Sequence, residues 1–412
     1  MKYGLIGEHL GHSFSKEIHE KIADYVYEIC EIAPDKLEEF IKKADFNGIN
    51  VTIPYKEKVI PYLYFVSDNA RKIGAVNTVK NEDGKLYGYN TDYMGMKALI
   101  LRNQIDLKGK KALILGGGGT SKTGRAVLSD LGVREIVRVG LAHESPDALY
   151  EDVARLHSDA EFILNTTPVG MYPKNEGKII DIKDFPCLEG VIDVVYNPLR
   201  TNLVLDAKKR GLKSEGGLYM LVSQAVYACE IFTSTKIPTE VCDRIFNQIV
   251  KQKENIVLIG MPSSGKSTVG MYLSQLTDRE LVDTDEEIVK KIGMEISEYF
   301  ALYGEEKFRE IESEVVKEIS AKNGLIIATG GGAILREDNV RYLKQNGRLY
   351  FLNRALEMLT PTSDRPTASD YEALRKRYNE RYGIYTSVAD VIVPANGTVP
   401  QVAEIIKGEF FI

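Results

Sequence analysis

The stretch Ile256-Val-Leu-Ile-Gly-Met-Pro-Ser-Ser-Gly-Lys-Ser-Thr-Val-Gly270 decides the fold class of the last third of this 412-residue chain. Gly260, four intervening residues and Gly265-Lys266-Ser267 satisfy G-x-x-x-x-G-K-[ST] in full. The apolar run Ile256–Ile259 reads as a buried strand and Thr268–Leu276 as the first turns of a helix. Glycines at such a turn let backbone amides point inward around phosphate oxygens, and the helix N-terminus adds its positive end. The candidate triphosphate contacts are Gly260, Ser263, Ser264, Gly265, Lys266, Ser267 and Thr268. Lys266 would reach the β- and γ-phosphates, and the Ser267 hydroxyl would ligate Mg²⁺.

What precedes this loop is long enough for one or two further domains. Hydrophobic content of 44% and charged content of 27% are ordinary for a globular protein. A net charge of −6 carries no basic excess, which argues against nucleic acid as a partner. Cys30, Cys187, Cys229 and Cys242 are scattered without C-x-x-C spacing, and the five histidines do not cluster with them. This pattern suggests reduced thiols and no zinc site. Met1–Ser15 lacks a long apolar core and no run reaches membrane-spanning length, so the expectation is a cytoplasmic protein without a membrane partner.

Short β-branched runs alternate with helical patterns almost throughout, the signature of α/β architecture. Tyr3–Ile6, Gly48–Ile53 and Ala75–Val79 read as strands of a first block. Lys111–Leu115 opens a second block, with Glu135–Val139, Phe162–Asn165 and Val191–Val195 as later strands. Helices are expected over Tyr219–Ser234 and Glu240–Lys251, and a short polar junction at Lys251–Asn255 leads into the third block.

The second block carries its own glycine loop, Leu115-Gly-Gly-Gly-Gly-Thr-Ser-Lys-Thr123. It imitates the later loop, but the sixth position from Gly116 is Ser121 and no D-x-D follows at a later strand end. A dinucleotide loop fits better. Gly116 and Gly118 would give the tight turn and the close pyrophosphate approach, with small Ser121 where helix packs on strand. Gly116, Gly117, Gly118, Gly119 and Thr120 are the candidate cofactor contacts.

Around this loop, seven segments arrive in the order found in shikimate dehydrogenases. They are Gly7-Glu-His-Leu-Gly-His-Ser-Phe-Ser15, Asn50-Val-Thr-Ile-Pro-Tyr-Lys56, Gly74-Ala-Val-Asn-Thr78, Gly88-Tyr-Asn-Thr-Asp92, Asn165-Thr-Thr-Pro-Val-Gly-Met171, Asp193-Val-Val-Tyr-Asn197 and Gly217-Leu-Tyr-Met-Leu-Val-Ser-Gln224. Residues 4–224 therefore resemble that family, which implies NADPH-dependent reduction of 3-dehydroshikimate to shikimate. Hydride delivery to a ketone builds negative charge on oxygen, which needs a proton donor within reach. Lys56 is the candidate acid/base, and Asp92 would hold both the lysine and a substrate hydroxyl. By resemblance, Ser13 and Ser15 bind the substrate carboxylate. Thr52, Asn77, Tyr196 and Gln224 match positions that hold ring hydroxyls or the carboxylate, and Val194 and Gly217 match positions lining the nicotinamide. One departure stands out. Where the family carries an Asn-Arg-Thr-like clamp for the 2′-phosphate of NADP, this chain reads Val137-Arg-Val-Gly-Leu141. Arg138 is either the clamp displaced by one position or a residue pointing elsewhere, and no acid ends the strand.

Beyond Lys266 come Leu281-Val-Asp-Thr-Asp285, Gly304-Glu-Glu-Lys-Phe-Arg309-Glu-Ile-Glu312, Ala328-Thr-Gly-Gly-Gly332, Asp364-Arg365-Pro366 and Arg381-Tyr-Gly-Ile-Tyr385-Thr-Ser-Val-Ala-Asp390. Residues 256–392 resemble shikimate kinase. By family match, Asp283 joins Ser267 in the Mg²⁺ shell, and Asp285 hydrogen-bonds the accepting hydroxyl and takes its proton. Arg309 and Arg381 form a fork for the substrate carboxylate, with Gly330, Gly331 and Gly332 as backbone donors. Arg365 is the lid arginine on ATP. The lid departs from the family: Leu356–Asp370 is short, Thr367 stands where leucine is usual, and Thr360-Pro-Thr362 replaces an arginine.

The expected architecture is thus α/β throughout. A substrate-binding domain spans residues 1–98 with 217–250, a Rossmann domain 105–216, and a P-loop kinase domain with a parallel sheet 255–412. The expected protein is a bifunctional enzyme using NADPH, ATP and Mg²⁺ on small-molecule substrates, as a monomer or homodimer. Two alternatives stay open. One is a metabolite sensor that binds without turnover, which should lack Lys56, Asp92, Lys266 or Asp285 and carry a basic segment. The other is a quinate dehydrogenase using NAD.

Overall fold

In a computed structural model describing residues 1–10, 14–360 and 371–411, the apolar runs assemble into three sheets. The first contains β1 (Tyr3–Gly7), β2 (Tyr27–Glu31), β3 (Gly48–Val51), β4 (Phe65–Val66), β5 (Thr78–Glu82) and β6 (Lys85–Tyr89), in the order β2-β1-β3-β5-β6-β4. β1 pairs in parallel with β2 and β3, while β3–β5 and β5–β6 are antiparallel.

The second sheet is parallel throughout: β7 (Lys111–Leu115), β8 (Glu135–Gly140), β9 (Ala148–Leu149), β10 (Phe162–Asn165), β11 (Gly190–Asp193) and β12 (Lys213–Glu215). Its order is β12-β11-β10-β7-β8-β9. Counted from β7, this is the doubly wound dinucleotide-binding order, whose switch point lies between β7 and β10. All five residues of β7 are buried, as expected for a strand covered on both faces.

The third sheet is also parallel, with β13 (Asn255–Ile259), β14 (Leu281–Asp283), β15 (Ile326–Ala328), β16 (Gly347–Asn353) and β17 (Val391–Pro394) in the order β14-β15-β13-β16-β17. The phosphate loop, the Asp283–Asp285 segment and the Gly330–Gly332 turn leave the same end of the adjacent strands β13, β14 and β15. Leu258 is fully buried in this core, and truncating such a residue to alanine costs about 2–5 kcal/mol.

The first two sheets lie in one compact unit, Met1–Gln248, and the third in another, Ile249–Ile412. The polar junction expected at Lys251–Asn255 is the last turn of helix Thr239–Lys253, then Glu254 and the first residue of β13. One strand is shifted. Ala75 and Val76 do not open β5, because their amides donate to Ala70 O and Lys56 O, and the ladder begins only after them.

Candidate active sites

In the first unit, the turn after β3 carries Thr52 and Lys56 to the end of the first sheet. Val76 N donates to Lys56 O at 2.8 Å, which ties this turn to the segment bearing Asn77. Helix Thr91–Arg102 is N-capped by the Asn90 side chain, which accepts from Tyr93 N, and this places Asp92 in the first turn. Lys56 Nζ then donates to Asp92 Oδ2 at 2.5 Å, with side chains 30% and 20% exposed. The pair is open to a ligand yet shielded enough for its charges to matter.

A cavity of about 380 Å³ surrounds this pair. It brings together Ser15, Thr52, Lys56, Asn77, Asp92, Tyr196 and Gln224, from six separate stretches of chain. Gln224 belongs to helix Leu218–Thr233, which approaches helix Thr91–Arg102 closely at Gly95, where a Cβ would lie 2.6 Å from Met220 O. Ser13 lies outside the described residues.

The dinucleotide loop leaves β7 at the switch point. Gly116 has φ +108°, open to glycine at little cost, and a Cβ there would meet Thr167 beyond β10 at 2.8 Å. Gly118 and Gly119 border open space where helix Gly119–Asp130 starts, a cradle suited to a pyrophosphate, with Thr120 in its first turn. Ser121 is buried and its Oγ donates to Gly118 O. Lys122, the decoy lysine, instead pairs with Glu57 at 3.0 Å on the surface. Val194 and Gly217 are brought into contact: a Cβ on Gly217 would lie 2.0 Å from Val194 O, so only glycine fits.

In the second unit, Lys266 Nζ donates to Gly260 O and Met261 O at 3.0 Å each, holding the buried ammonium over the loop. Ser263 and Gly265 adopt positive φ, while Ser264 Oγ is buried without a hydrogen-bond partner. An orphaned buried hydroxyl in this loop fits a phosphate. Ser267 and Thr268 are exposed in the first turn of helix Lys266–Thr277. Ser267 Oγ donates to Asp283 Oδ2 at 2.6 Å, and Asp283 Oδ1 accepts from Asp285 N at 2.9 Å. Asp283 is therefore both helix N-cap and partner of the loop serine. A hydroxyl and one carboxylate suit Mg²⁺, which keeps most of its shell as water and phosphate oxygen.

A cavity of about 790 Å³ opens beside this loop, lined among others by Asp285, Arg309, Glu312, Gly330, Gly331, Gly332, Arg377 and Arg381. Arg309 Nη1 donates to Glu312 Oε2 at 2.7 Å and Nη2 to Glu305 Oε1 at 3.1 Å. Burial pushes the Glu312 carboxyl above the usual range, against the pull of Arg309. Gly331 O accepts from Arg381 Nη1 at 2.8 Å and from Tyr385 OH at 2.6 Å. Gly330 N is taken by Thr284 Oγ1, so Gly331 and Gly332 remain as the amide donors of that turn. Arg365 lies outside the described residues.

Comparisons with known proteins agree with both halves. Residues 5–79 match the family described as shikimate dehydrogenase substrate binding domain, and residues 262–408 match shikimate kinase. The NADP(+) shikimate dehydrogenase of Clostridium beijerinckii is 37% identical over 262 residues, covering 60% of this chain and 96% of that protein. That of Halothermothrix orenii is 38% identical over 262 residues, covering 57% and 91%.

The chain belongs to the shikimate dehydrogenase family.

It carries a shikimate kinase domain behind the dehydrogenase. Among solved structures, a chorismate mutase/shikimate 5-dehydrogenase fusion protein from Clostridium acetobutylicum matches with TM-score 0.57 and 36% identity, over 60% of this chain and 96% of that one. Shikimate 5-dehydrogenase from Thermus thermophilus, solved with NADP(H) and shikimate, matches with TM-score 0.53 and 28% identity, over 60% and 99%.

Within the dehydrogenase half, the structure adds one acid near the glycine loop. No acid ends β8, but Glu144 folds back from beyond it. Its carboxylate accepts from Leu141 N at 3.1 Å and crowds both glycines: a Cβ on Gly117 would lie 2.9 Å from Glu144 Cδ and one on Gly140 2.4 Å from Oε2. This puts a carboxylate beside the second glycine of the loop. Arg138 points elsewhere: its Nη2 donates to the carbonyl oxygens of Glu144 and Ser145.

Sequence reasoning also missed a buried polar chain beneath the first cavity. Tyr27 OH donates to Asn50 Oδ1 at 2.7 Å, and Asn50 Nδ2 to Thr78 Oγ1 at 3.0 Å. Asn77 Oδ1 accepts from Thr78 Oγ1 at 3.1 Å and Thr91 N at 2.6 Å, which fixes the Asn77 amide at the cavity wall. His19 stacks on Tyr27 at 4.0 Å, and burial depresses its pKa to about 3, so it stays neutral. The only signal was Asn50 within an otherwise apolar strand.

Proposed function

We infer that this chain performs two successive reactions: NADPH-dependent reduction of 3-dehydroshikimate to shikimate, then ATP-dependent phosphorylation to shikimate 3-phosphate. The observation that carries the first step is the Lys56–Asp92 pair at the centre of a cavity holding the other described family-matched groups. When bound, NADPH would supply the hydride, and Mg²⁺-ATP the phosphoryl group.

In the dehydrogenase, Lys56 gives its proton to the carbonyl oxygen as negative charge develops there, and Asp92 holds the ammonium against the substrate hydroxyl. Ser15 and, by family match, Ser13 take the carboxylate, with Thr52, Asn77, Tyr196 and Gln224 orienting the ring. The glycine loop at the switch point seats the pyrophosphate, and Val194 and Gly217 border the nicotinamide. In the kinase, Asp285 receives the proton of the accepting hydroxyl, Ser267 and Asp283 hold the metal shell, and Lys266 neutralises phosphate charge. Arg309 and Arg381 stand at the carboxylate end of the cavity, and positioning with electrostatic stabilisation does most of the work. We assign the substrate domain to residues 1–98 with 217–250, the cofactor domain to 105–216 and the kinase domain to 255–412, in keeping with the three sheets.

Two assays on the purified chain separate the halves. NADPH oxidation should depend on added 3-dehydroshikimate, and ADP release on added shikimate. Absence of either dependence would remove that activity from the proposal.

A further inference from the structure

The end of β16 leans on the phosphate loop from the flank away from the acceptor cavity. In the order β14-β15-β13-β16-β17, the cavity residues Asp285 and Gly330–Gly332 follow β14 and β15 on one side of β13, whereas Arg354 follows β16 on the other. A Cβ on Gly260 would lie 3.1 Å from Leu352 O, and a Cβ on Gly265 would lie 3.7 Å from Arg354 Nη1. The guanidinium therefore stands against the loop where helix Lys266–Thr277 begins. Ser263 Oγ donates to Thr360 O at 2.8 Å, so the segment from Arg354 to Thr360 borders the loop at both of its ends. Arg354 is the one basic residue in that segment, Arg-Ala-Leu-Glu-Met-Leu-Thr.

This placement is unfavourable while the loop is empty. The half-buried Arg354 guanidinium makes no hydrogen bond or ion pair with any described residue, and its Nε is shut off from solvent without a partner. A helix N-terminus disfavours a cation beside it, and the Lys266 ammonium adds a like charge at the same loop. Burying an unpaired charge costs free energy that no neighbour returns here. Ser264 points to the same remedy independently: it is 2% exposed and its Oγ has no partner. An anion seated on the loop would satisfy both groups, and the planar fork of a guanidinium suits phosphate oxygens.

We propose that Arg354 is a nucleotide-binding residue of the kinase unit, donating to the phosphate chain of ATP from the flank opposite the acceptor cavity. It adds a side-chain cation that the spacing of the phosphate-loop motif does not specify. The assignment rests on the reading that this loop holds ATP.

The test uses the full chain with Arg354→Met, which keeps the stem without the charge, and Arg354→Lys, which keeps the charge without the fork. Calorimetric binding of Mg²⁺-ADP should weaken by about tenfold in Arg354→Met, the scale of one lost hydrogen bond to a charged group, and by less in Arg354→Lys. Binding of Mg²⁺-tripolyphosphate, which has no base or ribose, should weaken in step. The KM for ATP should rise while the KM for shikimate and the rate of 3-dehydroshikimate reduction stay at wild-type values. Without ligand, the unfolding temperature of the kinase unit should hold or rise in Arg354→Met, because an unpaired cation leaves a helix N-terminus. Unaltered Mg²⁺-ADP binding would overturn the assignment, and so would a loss for ADP that tripolyphosphate does not share. Wild type that binds neither Mg²⁺-ADP nor Mg²⁺-ATP would overturn the parent reading as well, whereas binding by wild type beside an unaffected variant overturns this assignment alone.

Discussion

Lys56 Nζ lies 2.5 Å from Asp92 Oδ2, although the two residues come from a strand-end turn and a helix N-terminus 36 positions apart. With the ammonium as proton donor, Lys56→Ala should lower the rate of 3-dehydroshikimate reduction by about 10²–10⁴. Asp92→Asn, which leaves the lysine without its counter-charge, should lower it as well. Stopped-flow absorbance of NADPH reads both, and a Lys56→Ala rate within a few-fold of wild type would remove the lysine from the chemistry.

Ser267 Oγ and Asp283 Oδ2 meet at 2.6 Å, where a metal ion between the phosphate loop and β14 would sit. Asp283→Asn keeps the N-cap on Asp285 but removes the charge. It should raise the Mg²⁺ concentration for half-maximal phosphorylation by about 10–100-fold, as for other residues that support a metal. A titration of kinase rate with Mg²⁺ that superimposes on wild type would contradict the assignment.

Glu144 bears on cofactor choice. Its carboxylate beside Gly117 would repel a 2′-phosphate and accept from a ribose 2′-hydroxyl. It opposes the preference for NADPH that the family match implies, so NADPH should be favoured over NADH less sharply than with a full arginine clamp. Glu144→Gln should lower the NADPH-to-NADH ratio of dissociation constants by about tenfold, the scale of one near-surface charge pair. Fluorescence titration of the reduced cofactors measures it, and an unchanged ratio would exclude Glu144 from the ribose site.

Asp193 supplies a pH signature. It is buried at the end of β11 and its carboxylate accepts from Asn165 Nδ2, Val195 N and Thr201 Oγ1, which shapes the loop bearing Val194 and Tyr196. Burial outweighs these bonds and raises its pKa to about 6. The folded form thus binds the proton more tightly than the unfolded chain. Its contribution to stability is fully present below about pH 4 and is lost as pH rises through about 6, by about 3 kcal/mol. Asp193→Asn should lack this loss, so its urea midpoint relative to wild type should improve between pH 4.5 and 7.5. A constant difference across that range would contradict the coupling.

Strand positions were legible where both faces are buried. The continuous runs of β7, β10 and β13 are unmistakable because nothing polar interrupts them. β2 was missed because it is an edge strand with a single buried residue, Tyr27, among charged neighbours. Site residues were readable where a motif fixes their spacing, as with Lys56, Asp92 and the Lys266 loop. Glu144 and the Asn50 chain were not, since each acts through a partner distant in sequence. Glu144 reaches Gly117, and Tyr27 reaches Asn50, only because parallel strands bring their ends together.

Two self-contained sites in one chain predict the outcome of a single measurement: mass-resolved products from 3-dehydroshikimate, NADPH and Mg²⁺-ATP incubated with Lys56→Ala, Lys266→Ala, and the two mixed. Lys266→Ala alone should stop at shikimate. Lys56→Ala alone should make almost no product from 3-dehydroshikimate, yet phosphorylate added shikimate at nearly the wild-type rate. The mixture should yield shikimate 3-phosphate after a lag in which free shikimate accumulates. A folded Lys56→Ala protein unable to phosphorylate added shikimate, or a mixture that never passes shikimate, would contradict two independent activities.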